Sequence, residues 1–294
     1  MKGKSVLITG ATSGIGFHTA RALASMGARV LVTGRDEARG RAALDRLRLE
    51  ARHDRVAFLA VDHSTVGGNR DLAERVLQRV DRLDVLVNNV GAIHARRQET
   101  EDGYEATLAM NFLGPFVLTD VLMPLLLESA PARVVNVVSS AYSMWKRDPF
   151  EDLAAKQRYV GIEAYAHSKL LNILWTFALA RRLEGSGVVA NAVNPGMAWT
   201  NQTRAMTPET VPAWRLFWPL VRLVQRRASA EAAAKSSVYL ASSEKASSVS
   251  GACFESNAKP RRPTELALDV GNQERAWDLA KSLVARAPTR EARR

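Results

Sequence analysis

The chain of 294 residues predicts an α/β fold, in which one doubly wound, mostly parallel sheet of seven strands carries helices on both faces. Two observations predict it. Strand-like and helix-like patterns alternate from Ser5 to about Val193, and no Pro-, Gly- or Ser-rich linker divides them. The run Val134-Val-Asn-Val-Val138 is apolar on both of its faces, as expected where helices cover both sides of a parallel sheet. We therefore expect a single domain over residues 1–286, followed by a disordered tail at 287–294.

The individual elements follow from short apolar runs, which predict strands, and from apolar spacings of three and four residues, which predict helices. Strands are predicted at 5–9, 29–33, 55–61, 83–87, 133–138 and 188–193, with a short seventh strand near 252–254. Helices are predicted at 15–26, 36–50, 69–80, 102–110, 114–128, 164–183 and 229–241. The alternation is that of repeated βαβ units, which build a parallel sheet.

The turn after the first strand is rich in glycine. Ser5-Val-Leu-Ile-Thr9 predicts a buried strand, and Gly10-Ala-Thr-Ser-Gly14-Ile-Gly16 follows it directly. Glycines at such a turn allow the backbone to approach a pyrophosphate, whose charge is then held by the free N–H groups of the helix N-terminus. The spacing differs from the Gly-x-Gly-x-x-Gly of the standard dinucleotide turn, and an ordinary tight turn is the alternative. The strand before, the helix after and the second strand at 29–33 favour a Rossmann-type nucleotide site. The residues assigned to it are Gly10, Thr12, Ser13, Gly14, Ile15 and Gly16.

Tyr165 and Lys169 lie four residues apart in Glu163-Ala-Tyr-Ala-His-Ser-Lys169. The helical spacing of apolar residues from 165 to 183 places the two side chains on one helix face. An ammonium held there would stabilise tyrosinate and lower the phenol pKa from about 10 towards working pH. A phenol with such a pKa can pass a proton to or from a substrate oxygen. The pair alone is common on solvated helices, and it gains weight from the nucleotide turn that precedes it.

Composition restricts the classes of function. The net charge of +11 comes with arginines spread among acids, and no helix-turn-helix, zinc or aromatic RNA-binding motif accompanies them, so nucleic acid is not expected as a partner. Weak attraction to an acidic lipid surface is compatible with this charge. The five histidines lack metal-ligand spacing, so no metal site is expected, and Cys253 is the single cysteine, which suits a reducing cytoplasm. No signal peptide and no run of about 20 apolar residues is predicted, so we expect a cytoplasmic protein without a transmembrane segment.

Further motifs follow the predicted strands. They are Asn88-Asn-Val-Gly91 after the fourth strand, Asn111, Ser139-Ser140 after the fifth strand, and Asn194-Pro-Gly196 after the sixth. Together with the glycine turn and the Tyr165/Lys169 pair, these motifs resemble the short-chain dehydrogenase/reductase family over nearly the whole chain. Three segments are most similar to its retinol-dehydrogenase-like and WW-domain-oxidoreductase-like branch. They are Val134-Val-Asn-Val-Val-Ser-Ser140, the insert Phe150-Glu-Asp-Leu153 and Ser250-Gly-Ala-Cys-Phe254.

The resemblance implies a role for each matching residue. Tyr165 is expected to be the general acid when a carbonyl is reduced and the general base in the reverse direction. Ser140 would hold the substrate oxygen beside it, with Ser139 as the alternative. Lys169 would also hold the nicotinamide ribose, and Asn111 would anchor a water that links Lys169 to solvent. Cofactor contacts are further implied for Asn89, Gly91, Tyr165, Lys169, Pro195, Gly196 and Thr200.

Charge at the end of the second strand predicts the cofactor. An enzyme that selects a 2′-hydroxyl usually places an acid there, whereas this chain has Gly34 followed by Arg35. A guanidinium binds a 2′-phosphate through charge-assisted hydrogen bonds, so NADP(H) is favoured over NAD(H). The alternative is that Arg35 is a solvated residue opening the next helix, partly neutralised by Asp36. Asp62, after the third strand, resembles the family aspartate that binds the adenine amino group, although His63 replaces its usual apolar neighbour.

The segment 197–228 lies where this family builds its substrate lid. Its large aromatic residues are Trp199, Trp214, Phe217 and Trp218, and they stand among basic residues. We favour a lid over a bulky lipophilic substrate. An interfacial membrane helix, a subunit interface and a helix packed on its own domain are the alternatives. Pro219 is expected to interrupt a long interfacial helix.

These residues predict an NADP(H)-dependent oxidoreductase that transfers hydride between nicotinamide and the carbon of a carbonyl or alcohol. Two alternatives from other classes are a catalytically idle nucleotide-binding scaffold and a reductase of an activated C=C bond. The intact set of Asn111, Ser140, Tyr165 and Lys169 argues against the scaffold, because a pure binder needs no proton relay. The family commonly forms dimers and tetramers, so the resemblance also allows a homo-oligomer.

Overall fold

The computed structural model describes residues 1–288 and contains one eight-stranded sheet flanked by helices. The strands are β1 (Ser5–Ile8), β2 (Arg29–Gly34), β3 (Val56–Ala60), β4 (Val85–Asn88), β5 (Ala132–Val137), β6 (Val188–Val193), β7 (Cys253–Phe254) and β8 (Pro260–Arg261). Their spatial order is β3-β2-β1-β4-β5-β6-β7-β8, and neighbours from β3 to β7 are parallel. The predicted α/β class is confirmed. The strand count is corrected from seven to eight, because β8 pairs antiparallel with β7 over only two residues and leaves no strand pattern in the sequence.

Helices connect the strands in chain order. They are α1 (Gly14–Ser25), α2 (Glu37–Ala51), α3 (Val66–Leu77), α4 (Ala106–Leu108), α5 (Gly114–Glu128), α6 (Gly161–Arg182), α7 (Asn201–Ala205), α8 (Trp218–Arg227), α9 (Ala230–Ser242), α10 (Glu265–Leu268) and α11 (Val270–Arg286). Short 3₁₀ turns lie at Ser140–Met144, Pro212–Phe217 and Glu244–Ala246. The helix predicted at 102–110 instead begins at Ala106 and passes into a π-helical turn, Ala109–Leu113, before α5.

Two apolar cores lie on opposite faces of the sheet. On one face, Leu7 of β1 belongs to a cluster with residues of α3, α5, α6 and α11. On the other face, Val6 and Ile8 belong to a cluster with residues of α1, α2 and α9. Adjacent residues of one strand therefore enter different cores, which explains why the strand is apolar throughout. Each fully buried leucine or valine contributes roughly 1.5–3 kcal/mol to the stability of the fold. The sheet therefore holds the residues at its carboxyl end in fixed positions.

One helical stretch of the described chain, Ala106–Glu128, is long and apolar enough to cross a membrane by length and composition. No such stretch was expected from the sequence. Its mean hydropathy reaches 1.6, and 67% of the apolar window is buried inside the protein. Phe112, Phe116 and Leu122 from this stretch pack in the core beside the sheet. Its apolar character is therefore accounted for by burial within the domain.

The lid segment contains two helices, α7 and α8, that the sequence did not predict. Pro219 lies in the first turn of α8, where a missing N–H breaks no helical hydrogen bond. As expected, no long helix passes through Pro219, because the chain forms a 3₁₀ turn before it and α8 begins only at Trp218.

The C-terminal part also contains unpredicted helices, α10 and α11. α11 packs along α6, where Glu274 forms ion pairs with Arg181 and Arg182. Ala287, assigned from the sequence to a disordered tail, is buried beside Val66 and Val117. The last six residues of the predicted tail, 289–294, lie outside the described residues.

Candidate active site

A cleft of about 800 Å³ opens at the carboxyl end of the sheet. It lies beside β1, whose neighbours β2 and β4 lead to opposite halves of the sheet, and ligands of doubly wound folds bind at such a switch point. Every residue assigned to the site from the sequence lines this cleft except Asn111, which lies behind its wall. Across residues 1–288, no group of three or more His, Cys, Asp or Glu side chains is arranged to hold a metal ion.

The glycine turn has the backbone geometry that a close approach to a ligand requires. Gly10 and Gly14 have φ values of +63° and +58°, in the left-handed region that side chains disfavour. A Cβ at Gly16 would lie 2.5 Å from Nδ2 of Asn89 and 2.7 Å from the carbonyl oxygen of Gly10, so no larger residue fits. The first turn of α1 lines the cleft, and its free N–H groups favour an anion. These residues therefore fit the pyrophosphate of a dinucleotide.

Asn89 holds the glycine turn from the end of β4. Its Nδ2 donates to the carbonyl oxygens of Thr9 (2.8 Å) and Gly10 (3.2 Å). The hydroxyl of Thr9 in turn accepts from the backbone N–H groups of Asn89 and Val90. Asn89 lines the cleft and also fixes the turn that would carry the pyrophosphate.

Tyr165 and Lys169 lie on the same side of α6. The Lys169 Nζ is 5.9 Å from the centroid of the Tyr165 ring. This amine is buried and donates to the carbonyl oxygen of Val137 at the end of β5, at 2.8 Å. A Cβ at Gly91 would come within 3.3 Å of Nζ, so the glycine gives the amine room. The strand end and the helix thus bring both side chains to the cleft.

Burial governs the protonation of this pair. Burial raises the pKa of Tyr165, while its hydrogen bonds with the side chains of Ser139 and Gln202 act in the opposite direction. Burial also lowers the pKa of Lys169 to about 7. The amine therefore titrates much closer to neutral pH than an exposed lysine does. The net lowering of the Tyr165 pKa by Lys169 that the sequence predicted is not found, because desolvation acts on both groups.

The serine that contacts Tyr165 is Ser139, not Ser140. The side chain of Ser139 hydrogen-bonds the Tyr165 hydroxyl and also accepts from the N–H of Ala141. Ser140 is exposed, and its backbone N–H donates to Oδ1 of Asn194. Because the chain is extended at Ser139, the side chains of the two serines leave it in different directions. The geometry therefore favours Ser139, the alternative named with Ser140, as the serine beside Tyr165.

Asn111 is completely buried in the π-helical turn and makes structural hydrogen bonds. Its Oδ1 accepts from the N–H of Ala92, and its Nδ2 donates to the carbonyl oxygen of Ala92 and to Oγ of Ser168. Its own carbonyl oxygen accepts from Nδ2 of Asn172 at 2.6 Å. The water relay assigned to Asn111 stays a prediction. Asn172 was not singled out, although its position three residues after Lys169 on the same helix would have indicated it.

Two arginines line the far end of the cleft. Arg35 and Arg39 both face it, and both are exposed. Asp36 was considered as a partner that neutralises Arg35, but its carboxylate caps α2 by accepting from the N–H of Arg39 and lies 3.7 Å from the Arg39 guanidinium. The sequence did not indicate Arg39, because Arg35 precedes α2 and no helical spacing links the two arginines.

His63 lies beneath this end of the cleft in a chain of hydrogen bonds. Its Nε2 is 2.7 Å from Oγ1 of Thr33, and its Nδ1 is 2.8 Å from Oδ1 of Asn69. Thr33 Oγ1 also accepts from the N–H of Gly10 at 3.1 Å. Burial lowers the pKa of His63 to about 4, so the ring is neutral at physiological pH. Since the Asn69 oxygen can only accept, the ring proton lies on Nδ1, and Nε2 accepts from the Thr33 hydroxyl. Neighbouring Asp62 lines the cleft, and its Oδ1 accepts from the N–H of Ser64.

The lid segment forms the opposite wall of the cleft. Thr200 and Gly196 line it, and Asn201 at the start of α7 donates from Nδ2 to Oγ of Ser13 at 3.1 Å. Trp214 and Met206 line the cleft further out. The start of α7 therefore lies between the glycine turn and Tyr165, since Asn201 contacts Ser13 and Gln202 contacts Tyr165.

Comparison with known proteins agrees with this geometry. Residues 4–210 match the family model for short chain dehydrogenase. The chain is 39% identical to human retinol dehydrogenase 12 over 284 residues, which covers 97% of this chain and 87% of that protein. It is 38% identical to human retinol dehydrogenase 14, with 97% and 87% covered.

A solved structure with a similar fold contains a nucleotide. It is a protein from Beutenbergia cavernae, named as an NAD(P)-dependent gluconate 5-dehydrogenase, with NADP bound at low occupancy. Its TM-score is 0.68 at 28% sequence identity, covering 87% of this chain and 96% of that one. The likeness supports the same fold around a nucleotide-binding cleft.

Proposed function

The chain belongs to the short-chain dehydrogenase/reductase family, in its retinol-dehydrogenase-like branch, and from this premise we propose that it is an NADP(H)-dependent oxidoreductase of a bulky lipophilic alcohol or carbonyl. Family membership makes it an oxidoreductase with a nucleotide-binding fold. The preference for NADP(H), the substrate class and the role of the tyrosine are the proposal.

The observation that carries the proposal is the meeting of Tyr165, Lys169 and Ser139 in one cleft with the glycine turn. When bound, the nicotinamide cofactor supplies or accepts the hydride. Tyr165 gives its phenolic proton to the substrate oxygen during carbonyl reduction and removes it during alcohol oxidation. Ser139 donates a hydrogen bond to the same oxygen and so positions it beside the phenol.

Lys169 assists Tyr165 through its charge. A protonated amine 5.9 Å from the ring centroid stabilises the tyrosinate that forms when the proton leaves. Burial lowers the pKa of Lys169 to about 7, and a hydrogen-bond acceptor bound beside it, such as a ribose hydroxyl, would replace part of its lost hydration.

The outer cleft supports the choice of a lipophilic substrate. Its wall includes Ile93, Met144, Met197, Met206 and Trp214, which offer apolar and adaptable surface to a large ligand. The similar proteins named retinol dehydrogenases support an alcohol or aldehyde as the reacting group.

Tyr165→Phe is the central test. We expect it to reduce turnover by roughly 10²-fold or more while NADPH still binds, because the phenyl ring keeps its packing and loses only the proton donor. Turnover is followed by NADPH absorbance against aldehydes and ketones graded from short chain to retinoid, steroid and polycyclic. Unchanged turnover would reject Tyr165 as the donor. A wild-type protein that binds NADPH and turns over no substrate of the panel would favour the idle scaffold.

The cofactor preference is tested at Arg35 and Arg39. We expect Arg35→Ala or Arg39→Ala to raise the KM for NADPH about tenfold or more and to leave the KM for NADH nearly unchanged, because only NADPH has the 2′-phosphate. Arg41→Ala is the matched control, since Arg41 lies on the same helix and pairs with Glu37. Equal use of NADH and NADPH by the wild type would contradict the assignment.

A further inference from the structure

An exposed apolar surface lies on the lid, outside the cleft. We call residues 214–227 the lid face. Several of its large apolar side chains are in solvent: Trp214, Leu216, Phe217, Leu220, Leu223 and Val224, with Leu216 90% and Phe217 64% exposed. Single exposed leucines are common on proteins, but a contiguous cluster of this kind indicates a surface that meets a partner.

α8 divides its side chains between two sides. Trp218, Val221, Arg222 and Gln225 are turned towards the protein, and Gln225 is buried. Arg222 donates to the carbonyl oxygen of Thr203 and lies over the ring of Trp199, which fastens the helix to the rest of the lid. Leu220, Leu223 and Val224 then face outward on the free side, at the spacing of one helix face. One side of α8 is thus fixed to the rest of the lid, and the other side is exposed to solvent.

The lid face is also cationic. Residues 214–227 contain four arginines, Arg215, Arg222, Arg226 and Arg227, and no aspartate or glutamate. Arg226 and Arg227 are exposed at the end of α8, next to the outward apolar side chains. Outward apolar side chains with flanking arginines match a surface that is negatively charged at its boundary and apolar beneath it.

The charge argues against a second copy of this chain as the occupant. A two-fold interface would bring the same patch of each subunit together, so arginines would face arginines. The chain as a whole carries a net charge of +11, which adds to that repulsion. A bilayer that contains anionic lipid has the opposite charge and can accept the protruding leucine and phenylalanine side chains.

The lid face adjoins the mouth of the cleft. Trp214 belongs to both, because it lines the cleft and is 40% exposed on the lid face. A surface that rested on lipid here would hold the cleft mouth at the bilayer, where a lipophilic substrate is dissolved.

We propose that the lid face is a docking surface for an anionic lipid bilayer, with Leu216, Phe217 and Leu220 inserted among the lipids and Arg226 and Arg227 at the headgroups. The docking itself depends only on the geometry of the lid. Its use for collecting substrate rests on the proposed function.

The test is cosedimentation of the full chain with vesicles of phosphatidylcholine alone and of phosphatidylcholine with 30 mol % phosphatidylglycerol, roughly the charge density of a bacterial-type or cytoplasmic leaflet. We expect binding to the anionic vesicles and at least tenfold less to the neutral ones. The triple variant Leu216→Ser, Phe217→Ser, Leu220→Ser should lose most of it. Arg226→Gln with Arg227→Gln should weaken it on the order of tenfold or more, at about fivefold for each arginine.

Matched control variants distinguish binding through the lid face from non-specific hydrophobic or electrostatic adsorption. Leu49→Ser removes an apolar side chain that is 80% exposed elsewhere, and Arg41→Gln with Arg158→Gln removes two exposed surface arginines. Both control variants should bind the anionic vesicles as the wild type does, and all variants should keep wild-type turnover of a water-soluble carbonyl.

Three results would overturn the proposal. One is the absence of vesicle binding by the wild type. Another is binding that survives the triple apolar variant and falls equally with either arginine pair, which would indicate adsorption of a cationic protein. The last is a monomer–dimer equilibrium that the triple variant abolishes, which would assign the surface to a second copy. Vesicle binding is measured without turnover, so its failure is distinct from failure of the proposed activity.

Discussion

The two adjacent serines show how one residue position decides the chemistry. Ser139 contacts the Tyr165 hydroxyl, whereas Ser140 begins the 3₁₀ turn and is exposed. Along an extended chain, side chains alternate between two sides, so a shift of one residue exchanges the two serines. The sequence indicates that a serine follows β5, but it does not indicate at which residue the strand geometry ends. The sequence therefore predicts that a serine lies beside Tyr165, but it does not predict which of the two serines it is.

Ser139→Ala and Ser140→Ala form a matched pair. We expect Ser139→Ala to lower kcat about 10²-fold, because it removes a donor to the substrate oxygen, and Ser140→Ala to stay within about threefold of the wild type. Steady-state kinetics with the best carbonyl of the panel measures both. A larger loss of kcat in Ser140→Ala than in Ser139→Ala would instead assign the substrate oxygen to Ser140.

At the scale of elements, a buried histidine joins the ends of neighbouring strands. Thr33 lies on β2, His63 follows β3, and Gly10 follows β1, and hydrogen bonds connect all three in sequence. This series of hydrogen bonds ends at Asn69 of α3, whose Oδ1 contacts the His63 ring. Its Nδ2 also donates to the carbonyl oxygens of His63 and Thr65. The glycine turn is thereby held by Thr33, His63 and Asn69, of which Thr33 and Asn69 do not line the cleft.

His63→Leu tests this connection. We expect it to weaken NADPH binding about fivefold, corresponding to one lost hydrogen bond, while kcat changes little, because Thr33 loses its acceptor and the turn is less well held. Binding is measured by fluorescence titration, independently of turnover. His53→Leu is the control: His53 bonds the carbonyl oxygen of Ala24, so its loss should cost stability without changing NADPH affinity. Equal effects in the two variants would show that His63 acts only on stability.

Other elements differ in how visible they are in the sequence. α1 and α6 could be predicted because apolar helical runs coincide with the chemical motifs at their starts. α11 has an amphipathic pattern too, but no motif marks it, and its partner α6 carries apolar residues nearly all round. The π-helical turn at Ala109–Leu113 has no composition of its own, since it differs from a helix only in hydrogen bonding around Asn111.

At the scale of the whole molecule, the buried Lys169 connects the site to stability. Burial lowers its pKa to about 7 in the folded protein, from an ordinary value of 10.5. Between these two pH values the unfolded chain binds one proton more than the folded chain, so stability rises with pH there. The slope from this one group reaches about 1.4 kcal/mol per pH unit at most. Below pH 7 both states are protonated, and this contribution to the slope disappears.

Lys169→Met should remove that slope. We expect the variant to gain stability at pH 7 and to show a flatter dependence of the unfolding free energy between pH 7 and 9.5, because methionine fills the space without a charge to desolvate. Urea unfolding of the cofactor-free protein at several pH values measures it. Lys235→Met, at an exposed position of α9, is the control and should keep the wild-type slope. A parallel pH dependence in Lys169→Met and wild type would contradict the assigned pKa.

The overall architecture could be predicted because it depends on patterns repeated along the chain. Apolar strands and amphipathic helices alternate, and this leaves one arrangement, a parallel sheet with helices on both faces. The carboxyl ends of the strands then bring the glycine turn, Ser139, Tyr165 and Lys169 to the same edge without knowledge of any contact. The pKa values of Tyr165 and Lys169 could not be predicted from the sequence, because they depend on how deeply the folded chain buries each group.

The end of the sheet at β8 has a consequence for solubility. Pro260 has no N–H to offer, and the strand is only two residues long with Arg261 beside the proline. An incoming chain therefore finds almost no unpaired backbone to join, and the sheet cannot be extended into a fibre from this side. Replacing Pro260 with a β-branched residue would restore a backbone N–H at this sheet edge, and the edge could then pair with another chain and aggregate.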